Sequence, residues 1–213
     1  LLTEGMHGMI SQVEGLAKAL DINYSHHTVE TKGFWKVIPP KFTPISDSVF
    51  KKIECEDVDL IISCGRKSII PSLFLKKNSK KKVFNIHIQN PKIKLDNFDL
   101  VVVPEHDNLD GHNVLKTKGA IHYLTSEEIE KDKEYLFSIS SKLKDKNIIS
   151  LIIGGPTQYY DYSDRNIQEI FSKVNYLVKE NNLNLVVIPS MRTPKGTIEH
   201  AKIYFGNDHL VLD

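Results

Sequence analysis

The sequence contains little of what several common classes of protein require. Only two cysteines occur, Cys55 and Cys64, and their spacing matches no zinc-binding framework. No apolar run approaches the roughly 20 residues that a transmembrane helix needs. The net charge of +1 lacks the basic excess that is typical of nucleic-acid-binding domains. We therefore expect no membrane span and no nucleic-acid partner, and we expect both thiols to be buried or incidental in a reducing compartment.

Several enzyme motifs are also missing. The sequence has no G-x-S-x-G elbow and no G-x-x-x-x-G-K-[ST] loop, which disfavours an α/β-hydrolase and a P-loop NTPase. A nicotinamide-dependent sugar epimerase is disfavoured because G-x-G-x-x-G and Tyr-x-x-x-Lys are both absent. The histidines do not have the spacing of metal ligands, and His26 and His27 are expected to be exposed. We expect no metal and no cofactor.

What remains is the pattern of a parallel α/β protein. Apolar runs that are typical of buried strands alternate with stretches of helical periodicity, which predicts βα units and a parallel sheet. A short strand is also expected at Trp35–Ile38, between prolines that break any helix. The predicted strands are Val58–Ser63, Val83–Ile88, Leu100–Val103, Ile148–Ile153 and Leu183–Pro189. The predicted helices are Ile10–Leu20, Ser68–Leu75, Ser126–Lys144 and Asp164–Asn182.

The pattern restarts near Leu151, where a new strand leads into two glycines. We predict one Rossmann-like domain over residues 1–145 and a second over residues 146–213, with a linker at Lys142–Asn147. The chain opens without Met in what resembles the last residues of a strand, and it stops after half of the second pattern. Both ends therefore look trimmed, and the second domain is expected to be truncated.

Unusual polar residues follow each predicted strand, where ligands bind in parallel α/β sheets. His106 beside Asp107 could accept a proton, or the two could simply cap a polar loop. Arg66 could bind a phosphate or form a surface ion pair. Glycines after the first strand could hold an anion at a helix start or form a plain turn. These clusters are Glu4–Gly8, Cys64–Lys67, Gln89–Pro91, Pro104–Asp107, Gly154–Thr157 and Ser190–Pro194.

One basic cluster has two interpretations. Lys76–Lys82 reads KKNSKKK. It could be a solvated helix end, or it could contact anionic lipid headgroups.

Seven runs of sequence together resemble one family. They look like the bacterial proteins grouped with the plant mitochondrial fission factor of the elongated-mitochondria type. The resemblance covers nearly the whole chain. The runs are GMISQVEGLAKAL (Gly8–Leu20), CGRKS (Cys64–Ser68), IHIQNPKI (Ile86–Ile93), FDLVVVPEHD (Phe98–Asp107), GHNVLKTKGAIH (Gly111–His122), LIIGGPT (Leu151–Thr157) and SMRTP (Ser190–Pro194).

The family is similar to GT-B glycosyltransferases, which implies two facing Rossmann-like domains. The resemblance implies that the second domain binds a nucleotide-sugar and that the first binds the acceptor. The sequence departs from the family at Met9, where relatives often carry a polar residue. A later donor motif of the family would lie beyond Asp213, so the chain as given could be inactive. The implied donor-binding residues are Gly154, Gly155, Thr157, Ser190, Arg192, Thr193 and Pro194. The implied acceptor-side residues are Gly8, Gln12, Gly65, Arg66, Pro104, His106 and Asp107.

Two functional hypotheses follow. The first is a cytoplasmic cell-envelope glycosyltransferase, peripheral at the inner membrane face, with a lipid-linked acceptor. Its catalytic base would be His106 or Asp107, with His7 as the next candidate, and Arg192 would steady the leaving diphosphate. The second is a non-catalytic adaptor on a membrane surface. A cleft filled by apolar side chains would favour the adaptor.

Overall fold

The chain folds into two compact units. The computed structural model describes residues 1–54, 58–140, 143, 147–160, 162–206 and 208–212. The units are Leu1–Thr125 and Ser126–Asp213. The predicted boundary between residues 145 and 146 and most of the predicted linker lie outside the described residues, so this boundary stays a prediction. Cys55 also lies outside them.

The first unit is a parallel sheet with helices packed against it. The strands are β1 (Leu2–Thr3), β2 (His27–Thr28), β3 (Leu60–Cys64), β4 (Phe84–Ile88), β5 (Leu100–Pro104) and β6 (Val114–Thr117). Their order across the sheet is β2-β1-β3-β4-β5-β6, and each of these neighbours pairs in parallel. Helix α1 (His7–Ala19) follows β1, and α2 (Ile69–Asn78) follows β3. The predicted parallel α/β class is confirmed.

Both faces of this sheet are buried. Val101 and Val103 of β5 pack with residues of α2, whereas Val102 between them packs with Val13 and Ala17 of α1. Successive residues of a strand point to opposite faces, so an unbroken apolar strand is suited to helices on both sides. The predicted burial of Cys64 is confirmed, because its side chain is fully inaccessible at the end of β3.

The short strand predicted at Trp35–Ile38 is wrong. Gly33–Lys36 instead forms a 3₁₀ turn, and a second such turn covers Pro40–Phe42. Gly33 has a φ of +48°, a backbone conformation that glycine adopts without steric strain. The apolar residues of this stretch were mistaken for a strand because a short apolar run does not distinguish a strand from a compact turn.

The second unit contains a smaller parallel sheet. Its strands are β7 (Ile148–Ile153), β8 (Asn184–Pro189) and β9 (Leu210–Val211), in that order. Its helices are α3 (Ser126–Ile139), α4 (Asp164–Glu180) and α5 (Lys195–Phe205). Ile167, Phe171 and Val178 form the buried stripe of α4 and share a core with Leu185 and Val187 of β8. The helical periodicity of the sequence predicted this stripe, but Ile170 and Leu177, which keep the same spacing, are 46% and 48% exposed.

Candidate functional site

The strand order of the first unit creates a topological switch point. β2 and β3 lie on opposite sides of β1, and ligands of parallel α/β sheets bind where such strands diverge at their carboxyl ends. Gly5 follows β1 with a φ of +82°, and Gly65 follows β3 with a φ of +93°. Both backbone conformations favour glycine. The two glycines therefore shape the crevice between β1 and β3.

Side chains of the protein itself occupy this crevice. Glu4 Oε1 accepts a hydrogen bond from the Lys67 backbone N–H at 3.0 Å, and Lys67 Nζ lies 3.1 Å from Glu4 Oε2. A Cβ atom added to Gly65 would lie 2.6 Å from Met9 Sδ and 3.0 Å from Glu4 Oε1. Gly65 therefore leaves room for a thioether and a carboxylate. Glu4 and Lys67 belong to separate strand-end loops in the sequence, and no motif there indicates that they pair.

The predicted acceptor-side residues lie at this edge but differ in their freedom to bind a ligand. Gly8 is exposed, with open space where a Cβ would stand. Gln12 Nε2 donates to the Gly8 carbonyl at 3.0 Å, within α1. Arg66 Nη2 donates to the Lys36 carbonyl at 2.8 Å, so its guanidinium ties a loop to the sheet. Pro104 is half-buried at the end of β5 and pairs with a residue of β6.

The predicted catalytic pair lies on a short turn after β5. His106 Nε2 stands 3.8 Å from Asp107 Oδ1, which is too far for a hydrogen bond. Both residues are exposed. His7 is the first residue of α1 and is also exposed. Because β3 and β4 separate β1 from β5, the two strands are about 14 Å apart at a spacing of about 4.8 Å per strand. His7 and His106 therefore share an edge but follow distant strands.

Two buried groups near this edge have structural roles. His87 is fully buried on β4, where its Nδ1 lies 2.9 Å from Ser63 Oγ and its ring stacks on Phe98 at 5.1 Å. Burial lowers the pKa of His87 to about 3, so the ring is neutral. Burial, with a smaller contribution from Glu4, raises the pKa of the Cys64 thiol to about 12. Such a thiol is a poor nucleophile.

The prediction that His26 and His27 are exposed is wrong, because both are half-buried. His26 Nε2 lies 2.8 Å from Thr3 Oγ1, and its Nδ1 lies 3.5 Å from Glu14 Oε1. Burial lowers the pKa of His26 even though Glu14 acts in the opposite direction. The ring thus links β1 to α1.

In the second unit, hydroxyl groups tie together the loops that follow β7 and β8. Thr193 is buried, and its Oγ1 donates to the carbonyls of Ile153 at 2.7 Å and Gly154 at 3.0 Å. The same Oγ1 accepts from the Ser190 N–H at 2.8 Å. Ser190 Oγ in turn accepts from the Arg192 N–H at 3.3 Å. Ser190 and Thr193 therefore shape the loop from within.

The two consecutive glycines of this edge have different surroundings. A Cβ added to Gly155 would lie 2.2 Å from the Arg192 carbonyl oxygen, so Gly155 permits close approach of the two loops. A Cβ added to Gly154 would meet nothing within 4 Å. Tyr162 Oη donates to the Gly154 carbonyl at 2.6 Å, a contact that no sequence motif indicates. Gly154 is the glycine that faces open space.

Arg192 presents an available cation at the same edge. Its side chain is exposed and makes no hydrogen bond or ion pair with the part of the chain that the structure describes. The residue immediately before α5 is Pro194, which provides no side-chain cap. Thr157 lies in the loop that follows β7 and is exposed, and its Oγ1 accepts a hydrogen bond from the Tyr159 N–H at 3.2 Å. A guanidinium close to an uncapped helix start is suited to an anion.

Comparison with known proteins identifies the family. The family described as Mitochondrial fission ELM1 matches residues 7–211. The chain belongs to this family. A curated relative, Mitochondrial fission protein ELM1 of Arabidopsis thaliana, is 35% identical over 48 residues, which are 22% of this chain and 11% of that protein. No solved structure matches the chain significantly. The resemblance seen in the sequence is confirmed at the level of the family.

Among the residues described above, no helix is long and apolar enough to cross a bilayer. The same residues contain no cluster of three or more His, Cys, Asp or Glu side chains that could hold a metal ion.

A cavity of about 530 Å³ opens at the amino-terminal edge of the first sheet, where Leu1, Tyr24 and Leu60 line it. That cavity lies at the opposite edge from the strand-end loops.

Proposed function

We propose that the chain contributes to a GT-B-type glycosyltransferase, which moves a sugar from a nucleotide-sugar donor to an acceptor hydroxyl. The observation that carries this proposal is the exposed guanidinium of Arg192, which forms no hydrogen bond or ion pair with the described residues. Arg192 follows β8 and precedes the start of α5. A nucleotide-sugar carries its negative charge on the diphosphate. The open space at Gly154 is consistent with close approach of such a group.

Sugar transfer makes a specific electrostatic demand on this edge. As the bond between the anomeric carbon and the diphosphate oxygen breaks, negative charge accumulates on the departing diphosphate. Arg192 would bind that charge through its planar fork, and the first N–H groups of α5 would add their partial positive charge. Fixed donors of this kind stabilise a developing anion without rearranging during the reaction. Protein groups alone could therefore supply the positive charge that stabilises the departing diphosphate.

The acceptor hydroxyl must also lose a proton. His106 would accept it, and Asp107 would move from 3.8 Å to hydrogen-bonding distance and orient the imidazole. Such pairs are often loose before substrate binds. His7 at the start of α1 is the other candidate base. We propose that the enzyme is cytoplasmic, that it works at the inner membrane face and that its acceptor is lipid-linked.

The chain offers a matched control for the proposed base. His112 Nδ1 lies 3.9 Å from Asp96 Oδ1, and the His112 and His106 side chains are 79% and 77% exposed. With a hydroxyl-bearing acceptor present, we expect His106→Gln to lower the release of nucleoside diphosphate from a UDP-, GDP- or ADP-sugar about 100-fold or more, because the attacking acceptor oxygen would keep its proton. His112→Gln should leave the rate unchanged. Equal rates in the two variants would remove His106 from the mechanism.

A non-catalytic adaptor is the second candidate, and one observation favours it. Glu4, Lys67 and Met9 fill the switch point at which ligands of this fold bind. Met9 is apolar but Glu4 and Lys67 are charged, so the crevice is not filled by apolar side chains alone. Its closure by the protein's own side chains leaves less room for a ligand, which an adaptor would not need. An adaptor would release no nucleoside diphosphate from any donor, and its melting temperature would be the same with and without nucleotide-sugars.

A further inference from the structure

An exposed loop of the first unit combines apolar and basic side chains. The loop runs from Lys32 to Ile45, and we call it the proline-rich loop because it contains Pro39, Pro40 and Pro44. Four of its large apolar side chains are exposed, and three of them are exposed by more than half. Phe34, Val37 and Phe42 are 64%, 73% and 69% exposed. Exposed apolar side chains that cluster on one segment mark an interaction surface.

The charge of the proline-rich loop has a single sign. It contains Lys32, Lys36 and Lys41 and no Asp or Glu. Neither Lys36 nor Lys41 forms a salt bridge within the described part of the chain. Lys41 Nζ lies 5.4 Å from the centre of the Phe42 ring, so a positive charge accompanies an exposed aromatic side chain. A partner of this surface must therefore accept both positive charge and apolar groups.

The loop is fixed to the body of the unit, although its tips are exposed. Trp35 packs against the core cluster that contains Val49, and Ile38 is half-buried. Arg66 donates a hydrogen bond to the Lys36 carbonyl, which fastens the loop to the carboxyl-terminal edge of the sheet. Pro39 further limits the backbone. The exposed apolar side chains therefore lie on a loop whose backbone is already restrained, so the loop loses little conformational entropy when it binds.

We propose that the proline-rich loop docks on an anionic lipid bilayer. Phe34, Val37 and Phe42 enter the interfacial layer, and Lys36 and Lys41 contact headgroup phosphates. Aromatic and aliphatic residues interleaved with lysines are typical of segments that lie in a membrane interface. The absence of acidic residues from the loop favours this partner, because attraction to anionic lipid increases with each lysine near the surface.

The lysine-rich segment Lys76–Lys82 fits a membrane less well. Lys76 pairs with Asp99 at 2.6 Å, and Lys81 pairs with Asp59 at 2.8 Å. This segment joins the end of α2 to the start of β4, so it lies at the edge of the sheet opposite Arg66. It therefore provides a charge control. The docking proposal does not depend on sugar transfer, since either candidate function could use a membrane surface.

Vesicle co-sedimentation of the 213-residue chain tests this proposal. The vesicles are phosphatidylcholine alone, or phosphatidylcholine and phosphatidylglycerol in roughly 2:1 proportion. Lys36→Gln/Lys41→Gln is compared with Lys77→Gln/Lys80→Gln, which removes the same charge at the other edge. We expect the first double variant to bind anionic vesicles about 25-fold more weakly, because each lysine contributes about fivefold. The second should bind like the unmodified chain.

Apolar variants provide an independent comparison. Phe34→Ser/Val37→Ser/Phe42→Ser should lower binding to anionic vesicles at least about tenfold. The control is Tyr159→Ser/Met191→Ser/Ile203→Ser, whose side chains are 80%, 84% and 81% exposed in the second unit. Circular dichroism checks that both triple variants fold. The proposal would be overturned if the unmodified chain did not bind vesicles, or if a loop variant and its control lost vesicle binding equally. The exposed loop would then be assigned to binding a protein.

Discussion

The consecutive glycines after β7 allow a sharp test of how the second unit holds its loop. Gly155→Ala would place a Cβ 2.2 Å from the Arg192 carbonyl oxygen, so one of the two backbone segments must move. Overpacking of this kind typically costs about 1–3 kcal/mol. For a domain of about 60–100 residues, which includes the second unit, each kcal/mol of destabilisation lowers the melting temperature by about 4–8 °C. We therefore expect a clear loss of thermal stability in Gly155→Ala.

Gly154→Ala is the matched control for this prediction. Its added Cβ would meet nothing within 4 Å, and the backbone φ at Gly154 is not positive. We expect its free energy of unfolding to change by no more than about 0.5 kcal/mol. Urea denaturation followed by far-ultraviolet circular dichroism measures both variants. If Gly155→Ala were as stable as Gly154→Ala, the close approach of the Gly155 and Arg192 loops would be refuted.

Substitutions at two further positions test the buried polar groups. Thr193→Val should destabilise the chain by about 1–3 kcal/mol in urea denaturation, because the carbonyls of Ile153 and Gly154 would lose a buried donor, whereas Thr193→Ser should retain most of the stability. For His87, the pKa is about 3 when folded and about 6.5 when unfolded, so the unfolded state binds more protons between these values and stability falls as the pH decreases through that window. Relative to neutral pH, His87 should account for a loss of about 2–3 kcal/mol at about pH 4.5, and His87→Gln should abolish that part of the pH dependence.

Most of the longer strands and helices were predictable from the sequence because their signals are local. Helix α5 and the short strands β2, β6 and β9 were not predicted. Leu100–Val103 is apolar at every position, which is what a strand buried on both faces requires. The stripe on α4 repeats with helical spacing and identifies its packing face. The stretch around Trp35 was misjudged because its structure depends on prolines and a positive-φ glycine, for which short apolar runs give no signal.

The candidate site could be predicted from the sequence only as a set of loops, and its location stays a prediction. The rule that ligands bind at carboxyl ends of parallel strands selected these loops. It could not reveal that Glu4 pairs with Lys67, because 63 residues separate them in the sequence. It also could not reveal that the Thr193 hydroxyl is used within the loop whereas Arg192 beside it is exposed. Such differences depend on side-chain directions that only the folded chain defines.

Binding of a nucleotide-sugar through Arg192 tests the proposed function most directly. A thermal-shift screen with UDP-, GDP-, ADP- and CMP-sugars compares the unmodified chain with Arg192→Ala and Lys179→Ala. Lys179 lies in the last turn of α4, so it carries the same charge at the opposite edge of the second sheet. A ligand at about 100 times its dissociation constant stabilises the folded state by about 2.7 kcal/mol. We expect one nucleotide class to raise the melting temperature of the unmodified chain and Lys179→Ala but not that of Arg192→Ala. An absence of any shift, or an equal shift in all three proteins, would contradict the account.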